Sequence, residues 1–269
     1  MKLLAWDTST KTGAIWALEW DHANPNAKPE IRSAWTLSVA ASDHSEQLLW
    51  AIDRILESCR WKLADLNALA VGVGPGSFTG LRIGVTTART LAQALGLKIS
   101  PFSSLAALAR LHASSLPPDT RVYAAMDACK GEVFLLEGPA RAIARCVLPE
   151  IKGWPSSARE RVLSFDALAK RLRSARARYG ARMKWHGIGD AFVRNSEIWH
   201  PLPRAAGDWN IALSGRISGE IVAQVGFESW KQTSGGLNPS LIFPAYLRDA
   251  DATIKLRKGL LKVAPVSSD

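Results

Sequence analysis

The feature that most constrains this chain is a junction in its first third. An apolar run at 68–73 (ALAVGV) passes without a break into GPGSFTGLRIG at 74–84, and a helical pattern follows to about residue 95. Apolar residues in continuous run, without polar alternation, predict a strand buried on both faces. Gly74 and Gly76 predict a sharp turn out of that strand. Thr79 is placed to cap a helix over about 80–95, which Gly96 ends. A doubly buried strand feeding a helix is α/β construction, with helices covering a sheet.

The flanking segments extend this plan. Residues 2–6 (KLLAW), 13–20 (GAIWALEW) and 31–37 (IRSAWTL) read as strands with short connections, which favours an antiparallel meander. Asp43 followed by Glu46 forms a variant capping box for a helix over 44–58, on which Leu48, Leu49, Ile52, Ile55 and Leu56 fall at helical spacing. A short strand near 97–102 and a helix from Ser103 or Ser104 to about 113 complete three strands followed by alternating helix and strand, the order of a ribonuclease H-like lobe.

After Leu116-Pro117-Pro118 the pattern restarts, with strands at 121–126 and 132–136 split by Asp127-Ala128-Cys129-Lys130-Gly131. This predicts a second, abbreviated lobe. The prolines and glycines of 138–160 suggest a loop or insertion. A basic helix at about 164–178, an apolar run ending in Gly187-Ile188-Gly189-Asp190, a last helix at about 210–225, the segment PAYLR at 244–248 and a basic tail follow. The division expected is a first lobe over 1–115 completed by about 208–250, a second over 116–207, and a tail over 251–269.

Composition excludes several classes. With 269 residues, 47% of them hydrophobic, the chain can bury a large core. The cysteines, Cys59, Cys129 and Cys146, are too few for a disulfide framework, and no pair has the CxxC spacing of a zinc site. No secretory h-region follows Met1, and no run of apolar residues is long enough to span a membrane, so the expectation is a soluble cytoplasmic protein. The net charge of +10 suits contact with a polyanion or an acidic partner.

The glycine loop departs from the nucleotide P-loop, since Leu81 stands where a lysine must reach the terminal phosphates. It also lacks the GxGxxG spacing of a dinucleotide site. Backbone N–H groups at a helix start still favour an anion, so an anion site using Gly76, Ser77, Thr79 and Arg82 stands beside a purely geometric role. Along the helix, Gly80, Gly84, Ala88 and Ala92 recur every four residues and form a stripe of small side chains. That stripe either packs on the chain's own neighbour or presents a docking face.

Asp7-Thr8-Ser9-Thr10 lies in the first strand-to-strand turn, where an actin-like ATPase places an acid and hydroxyls near phosphate; it is also ordinary turn chemistry. Asp127 is its counterpart in the second lobe. The histidines His22, His44, His112, His186 and His200 include no pair at i, i+3 or i+4, so no metal site and no catalytic residue is assigned. Between Arg159 and Lys184 nine Lys or Arg face two acids, a solvated face or a polyanion patch.

Taken together, DTST at 7–10, HSEQLL at 44–49, GPGSFTGLRIG at 74–84, SSLAALA at 103–109, DACKGEVF at 127–134 and PAYLR at 244–248 resemble the TsaB (YeaZ) family. The resemblance implies a two-lobed actin-like ATPase (ribonuclease H-like) fold, with mixed sheets flanked by helices. It implies a non-catalytic scaffold subunit of the bacterial machinery that forms N6-threonylcarbamoyladenosine at position 37 of tRNAs reading ANN codons. The implied partners are a TsaD-like paralogue whose HxxxH pair holds a metal, a TsaE-like ATPase, and tRNA through the complex. ATP or ADP and metal belong to those partners, none being bound by this chain alone.

In the family the helices matching 44–58 and 80–95 dock on the paralogue or form a homodimer. The residues this selects are Leu48, Ile52, Gly80, Leu81, Gly84, Ala88 and Ala92. The alternative from the residues is an independent actin-like ATPase or small-molecule kinase using Asp7, Thr8, Ser9 and Asp127.

Overall fold

The computed structural model describes residues 1–24, 29–38, 44–147, 160–179, 183–194, 209–212, 217 and 219–247. Strands β1 (Lys2–Asp7), β2 (Thr12–Glu19) and β3 (Glu30–Ser38) form the antiparallel meander read from 2–37. Helix α1 (His44–Cys59), strand β4 (Ala68–Gly72), helix α2 (Phe78–Leu95), strand β5 (Ile99–Phe102) and helix α3 (Ser104–Ala113) follow. β4 adds in parallel to β1, and β5 adds in parallel to β4, giving the order β3-β2-β1-β4-β5. Every residue of β4 is buried, as its unbroken apolar run requires.

The chain then repeats this plan. Strands β6 (Arg121–Asp127), β7 (Glu132–Pro139) and β8 (Glu160–Ser164) are antiparallel neighbours, while β9 (Trp185–Ile188) adds in parallel to β6 and β10 (Trp209–Ala212) to β9. The order β10-β9-β6-β7-β8 is the first sheet's order with β6 in the place of β1. Helices α4 (Ala140–Ile143), α5 (Phe165–Tyr179) and α6 (Asp190–Arg194) connect these strands, and α7 (Gly219–Gln232) returns against β1, β2, β4 and β5. The result is the two-lobed mixed-sheet fold; among the described residues each sheet has five strands, and β8 and β9 are shorter than their counterparts β3 and β4. Among the described residues no helix is long and apolar enough to cross a membrane.

Two segments differ from the reading of the sequence. The last helix starts at Gly219, not near 210, because 209–212 is spent on β10. Within 138–160 the described part holds the end of β7, the short α4 and the first residue of β8. Asp43, residues 148–159, His200 and the tail 251–269 lie outside the described residues.

α3 joins the two halves. Ser104 to Arg110 are all buried, so this alanine-rich helix is covered on every side, packing on β6, β7 and α7. One apolar cluster accordingly runs from Leu3 and Ala70 through Leu105 and Leu108 to Val122 and Phe134. At the end of α3, His112 lies against His186 of β9 with ring centroids 5.0 Å apart. His186 is 2% exposed, and among the described residues neither ring nitrogen has a hydrogen-bond partner.

Burial pushes the His186 pKa below its ordinary 6.5, and the neighbouring imidazole adds to the effect. A histidine depressed in the folded state binds its proton preferentially in the unfolded chain. Its contribution to stability is therefore whole above about pH 6.5 and is lost as pH falls toward the depressed value. We expect His186→Phe to flatten the decline in urea-unfolding stability between about pH 7 and pH 5. An unchanged slope in that variant would show that His186 titrates freely.

Candidate functional site

The site built from the sequence centres on the turn between β1 and β2, and the structure shows what covers it. Asp7, Thr8 and Ser9 are 1%, 6% and 2% exposed. Asp7 ends a strand that is buried from Leu3 onward, so its carboxyl group is satisfied from within. Ser9 donates to Oδ1 through its backbone N–H at 2.8 Å and its hydroxyl at 2.5 Å, and Ser104 donates to Oδ2 at 2.5 Å. Burial nevertheless pushes the Asp7 pKa above its ordinary 3.8, opposed by the hydrogen bonds from Ser104 and Ser9.

The glycine loop closes over this turn. Ser77 N–H donates to the Ser9 carbonyl at 2.7 Å, and a Cβ on Gly76 would stand 2.4 Å from that same oxygen. Gly74 binds the start of α3, its carbonyl accepting from Ser104 N–H at 2.9 Å and its N–H donating to Ser104 Oγ at 3.2 Å. The closing segment joins the same junction, since Ala245 N–H donates to the Val73 carbonyl at 2.7 Å. The N-cap of α2 is Ser77, whose hydroxyl accepts from Gly80 N–H, and not Thr79. The helix therefore starts at Phe78, two residues earlier than the glycine pattern suggested.

The small-residue stripe faces inward, against the end of β1 and the turn after it in the same chain. A Cβ on Gly80 would lie 2.0 Å from the Thr8 carbonyl oxygen, and one on Gly84 would lie 2.2 Å from Thr8 Oγ1. Thr8 Oγ1 donates to the Gly80 carbonyl at 2.7 Å, and Trp6 Nε1 donates to the Gly84 carbonyl at 3.1 Å. Small residues let α2 settle directly onto β1. Ala88 and Ala92 continue this contact in the core, and Leu48, Ile52 and Leu81 are buried as well. All seven residues assigned to a partner interface thus pack within this chain, because a small or apolar face is what the chain's own core also requires.

The anion set separates in the same way. Asp7, Thr8 and Ser9 are enclosed in the junction and Gly76 is half-buried against Ser9, whereas Ser77, Thr79 and Arg82 lie on the surface. Asp127 belongs to the second lobe's matching turn, where its Oδ1 accepts from Cys129 N–H at 2.7 Å, as Asp7 accepts from Ser9. With the Thr8 and Ser9 hydroxyls already donating inward and the loop seated on the turn, these residues do not fit a phosphate at the β1–β2 turn. His44 opens α1, and the place of a second imidazole in an HxxxH pair is held by Leu48, fully buried. Among the described residues no group of three His, Cys, Asp or Glu side chains is arranged to hold a metal.

Sequence reasoning missed the outward residues. Leu49, counted on the buried face of α1, is 52% exposed, and Trp50 beside it is 51% exposed. Trp50 meets Trp35 of β3 edge to face at 5.1 Å, and Arg54 lies over its ring. The signal was present in Leu48-Leu49-Trp50, since consecutive apolar residues cannot all fall on one helical stripe. Along α2 the missed residue is Phe78, which meets Tyr246 of the closing segment, while Arg89, placed beside the small-residue stripe by its spacing from Arg82, lies over Phe243.

The doubled five-stranded mixed sheets, flanked by helices, give the two-lobed actin-like ATPase (ribonuclease H-like) fold. A family model described as TsaD, tRNA N6-adenosine threonylcarbamoyltransferase, matches residues 38–148. The tRNA threonylcarbamoyladenosine biosynthesis protein TsaB of Haemophilus influenzae is 33% identical over 180 residues, covering 66% of this chain and 70% of that protein. The protein of the same name from Escherichia coli is 38% identical over 137 residues, covering 51% of this chain and 54% of its own length. The matched region thus spans about half of the Escherichia coli relative.

Two solved structures share the fold at 24% identity. One, an uncharacterized protein with similarity to peptidase YEAZ from Pseudomonas aeruginosa, has a TM-score of 0.66 over 92% of this chain and 99% of that one. The other, YeaZ from Pseudomonas aeruginosa, has a TM-score of 0.63 over 91% and 99%. On this similarity the chain belongs to the TsaB family.

Proposed function

We propose that this chain is a non-catalytic subunit in the cytoplasmic formation of N6-threonylcarbamoyladenosine on tRNA, presenting α1 and α2 to a TsaD-like catalytic partner. The observation that carries it is the exposed pair of Trp50 on α1 and Trp35 on β3, with Leu49 also exposed on α1, the helix whose HxxxH position is Leu48. Large apolar side chains exposed side by side favour a protein interface. With the small stripe turned inward, docking uses the outer faces of the helices, including Thr86, Thr90 and Gln93 of α2, and a homodimer through α2 uses the same face. A TsaE-like ATPase and tRNA join through the complex, and nucleotide and metal are supplied by the partners. The sealed β1–β2 turn weighs against the alternative of an independent ATPase or kinase.

The test is co-purification and titration of the full chain with a TsaD-like partner. Leu49→Glu/Trp50→Glu should weaken the complex at least about thirtyfold, in the range of interface hot spots, while leaving the melting temperature unchanged. Undiminished affinity in that variant would sink the reading.

A further inference from the structure

We propose that the edge of α2 bordering residues 239–247 is a contact surface for unpaired RNA, on which Arg82 and Arg89 take phosphates and the rings of Phe243 and Tyr246 take bases. The surface is composed from two elements that are distant in sequence and packed together. Phe78, Arg82 and Arg89, spaced by four and seven residues, share one edge of α2.

Both cations are held by rings. The Arg82 guanidinium lies 4.0 Å from the Phe78 centroid, and its Nε donates to Tyr246 Oη at 3.2 Å. Phe78 and Tyr246 are themselves 4.8 Å apart. Arg89 lies 4.8 Å from the Phe243 centroid. A guanidinium stacked on a ring keeps its in-plane N–H groups and loses rotamer freedom in advance, which suits it to a phosphate. Phe243 and Tyr246 remain 53% and 44% exposed.

The charge of the surface selects the partner. Neither α2 nor the segment from Thr233 to Leu247 contains an acid, and neither arginine is ion-paired among the described residues. Protein interfaces deplete charge at their centre, whereas cations interleaved with exposed rings are the composition of a single-strand nucleic-acid platform. Duplex RNA keeps its base faces stacked and offers such rings nothing, so the occupant is a loop or single strand. The overall charge of +10 favours the same occupant.

That the RNA is a tRNA rests on the function proposed above; the platform itself does not involve Leu49 or Trp50. The experiment is fluorescence anisotropy with the full chain, using a hairpin of tRNA anticodon-arm sequence with its unpaired loop, and a blunt duplex of the same stem. The hairpin should bind more tightly than the duplex. Arg82→Gln/Arg89→Gln should weaken hairpin binding about tenfold and lower the slope of log affinity against log salt by about 1.4, two contacts at about 0.7 each. Phe243→Ala should weaken it about tenfold with the slope unchanged.

Arg82→Lys/Arg89→Lys should restore most of the slope, and melting temperatures should show every variant folded. Absence of hairpin binding at low salt, or equal affinity in the variants, overturns the proposal. So does loss of a co-purifying protein while hairpin affinity stands, which would make the edge a protein interface. The Leu49→Glu/Trp50→Glu variant should keep its hairpin affinity, so either reading can fail without the other.

Discussion

Gly84→Ala is expected to destabilise the folded chain by about 2–4 kcal/mol, the sum of overpacking and a strained buried hydrogen bond. The new Cβ would stand 2.2 Å from Thr8 Oγ1, whose hydroxyl is fixed by its bond to the Gly80 carbonyl. Thr8 cannot turn away without breaking that bond, and α2 cannot lift without stretching the bond from Trp6 Nε1. The pair is separable, because after Thr8→Ala the nearest atom left is a Cβ at 3.4 Å, an ordinary contact. Thr8→Ala/Gly84→Ala should therefore recover about 1–2 kcal/mol relative to the sum of the single variants.

Gly80→Ala has no such relief. Its Cβ would meet the Thr8 backbone oxygen at 2.0 Å, and no side-chain deletion removes that atom. A cost of about 3–5 kcal/mol is expected, enough to leave little folded protein of a domain stable by about 5–15 kcal/mol once it is warmed. Urea midpoints for the three variants check the series. Wild-type stability in Gly84→Ala together with loss of a partner would mean that this helix face is presented outward after all.

The second large effect is at Asp7. Asp7→Ala should cost about 2–4 kcal/mol, because the buried Ser104 and Ser9 hydroxyls and the Ser9 N–H lose their acceptor. Asp7→Asn keeps an acceptor and removes the charge, so it should fold well and differ mainly in its response to pH. The folded-state pKa is raised above 3.8, so the group's contribution is whole below that value and is lost as pH rises through the raised one. Wild type should thus lose stability relative to Asp7→Asn as pH climbs from about 4 toward neutral. This slope is opposite in sign to that expected of His186, so the two single variants separate them. Because Asp7 is enclosed, neither variant should change nucleotide turnover by the isolated chain; turnover lost in Asp7→Asn would restore the ATPase alternative.

Much of the fold was legible because local pattern and tertiary demand agreed. The unbroken ALAVGV run fits a doubly buried strand, and the order of strands and helices to residue 113 followed from hydrophobic period and turn residues. β10 was not legible, since its residues Trp209–Ala212 also suit the first turn of an amphipathic helix, and pairing with β9 decided between them. β8 was hidden for a similar reason: Glu160–Ser164 carries charge at both of its first positions, and Glu160 is buried through Ser103, a contact no local pattern encodes.

The candidate site was legible as a set of residues and not as an arrangement. A stripe of small residues at i, i+4, i+8 states that something approaches α2 closely, but the same stripe serves a partner helix or the chain's own β1. Only the position of Thr8, seventy-two residues away from Gly80 in sequence, shows which. The ring-and-arginine edge was beyond reach for the same reason, since Arg82 and Tyr246 are 164 residues apart.

By itself the sequence determined that this chain is a two-lobed α/β protein of the TsaB type, with a tight glycine turn at the end of a buried strand and no P-loop lysine. Those properties are carried by neighbours along the chain, where spacing and backbone conformation act directly. The tertiary structure alone decided that the glycine stripe is core, that the DTST turn is sealed, and that Leu49, Trp50, Arg82 and Tyr246 are exposed. Which face of a helix meets water depends on where the rest of the chain packs, and burial is a property of the whole fold.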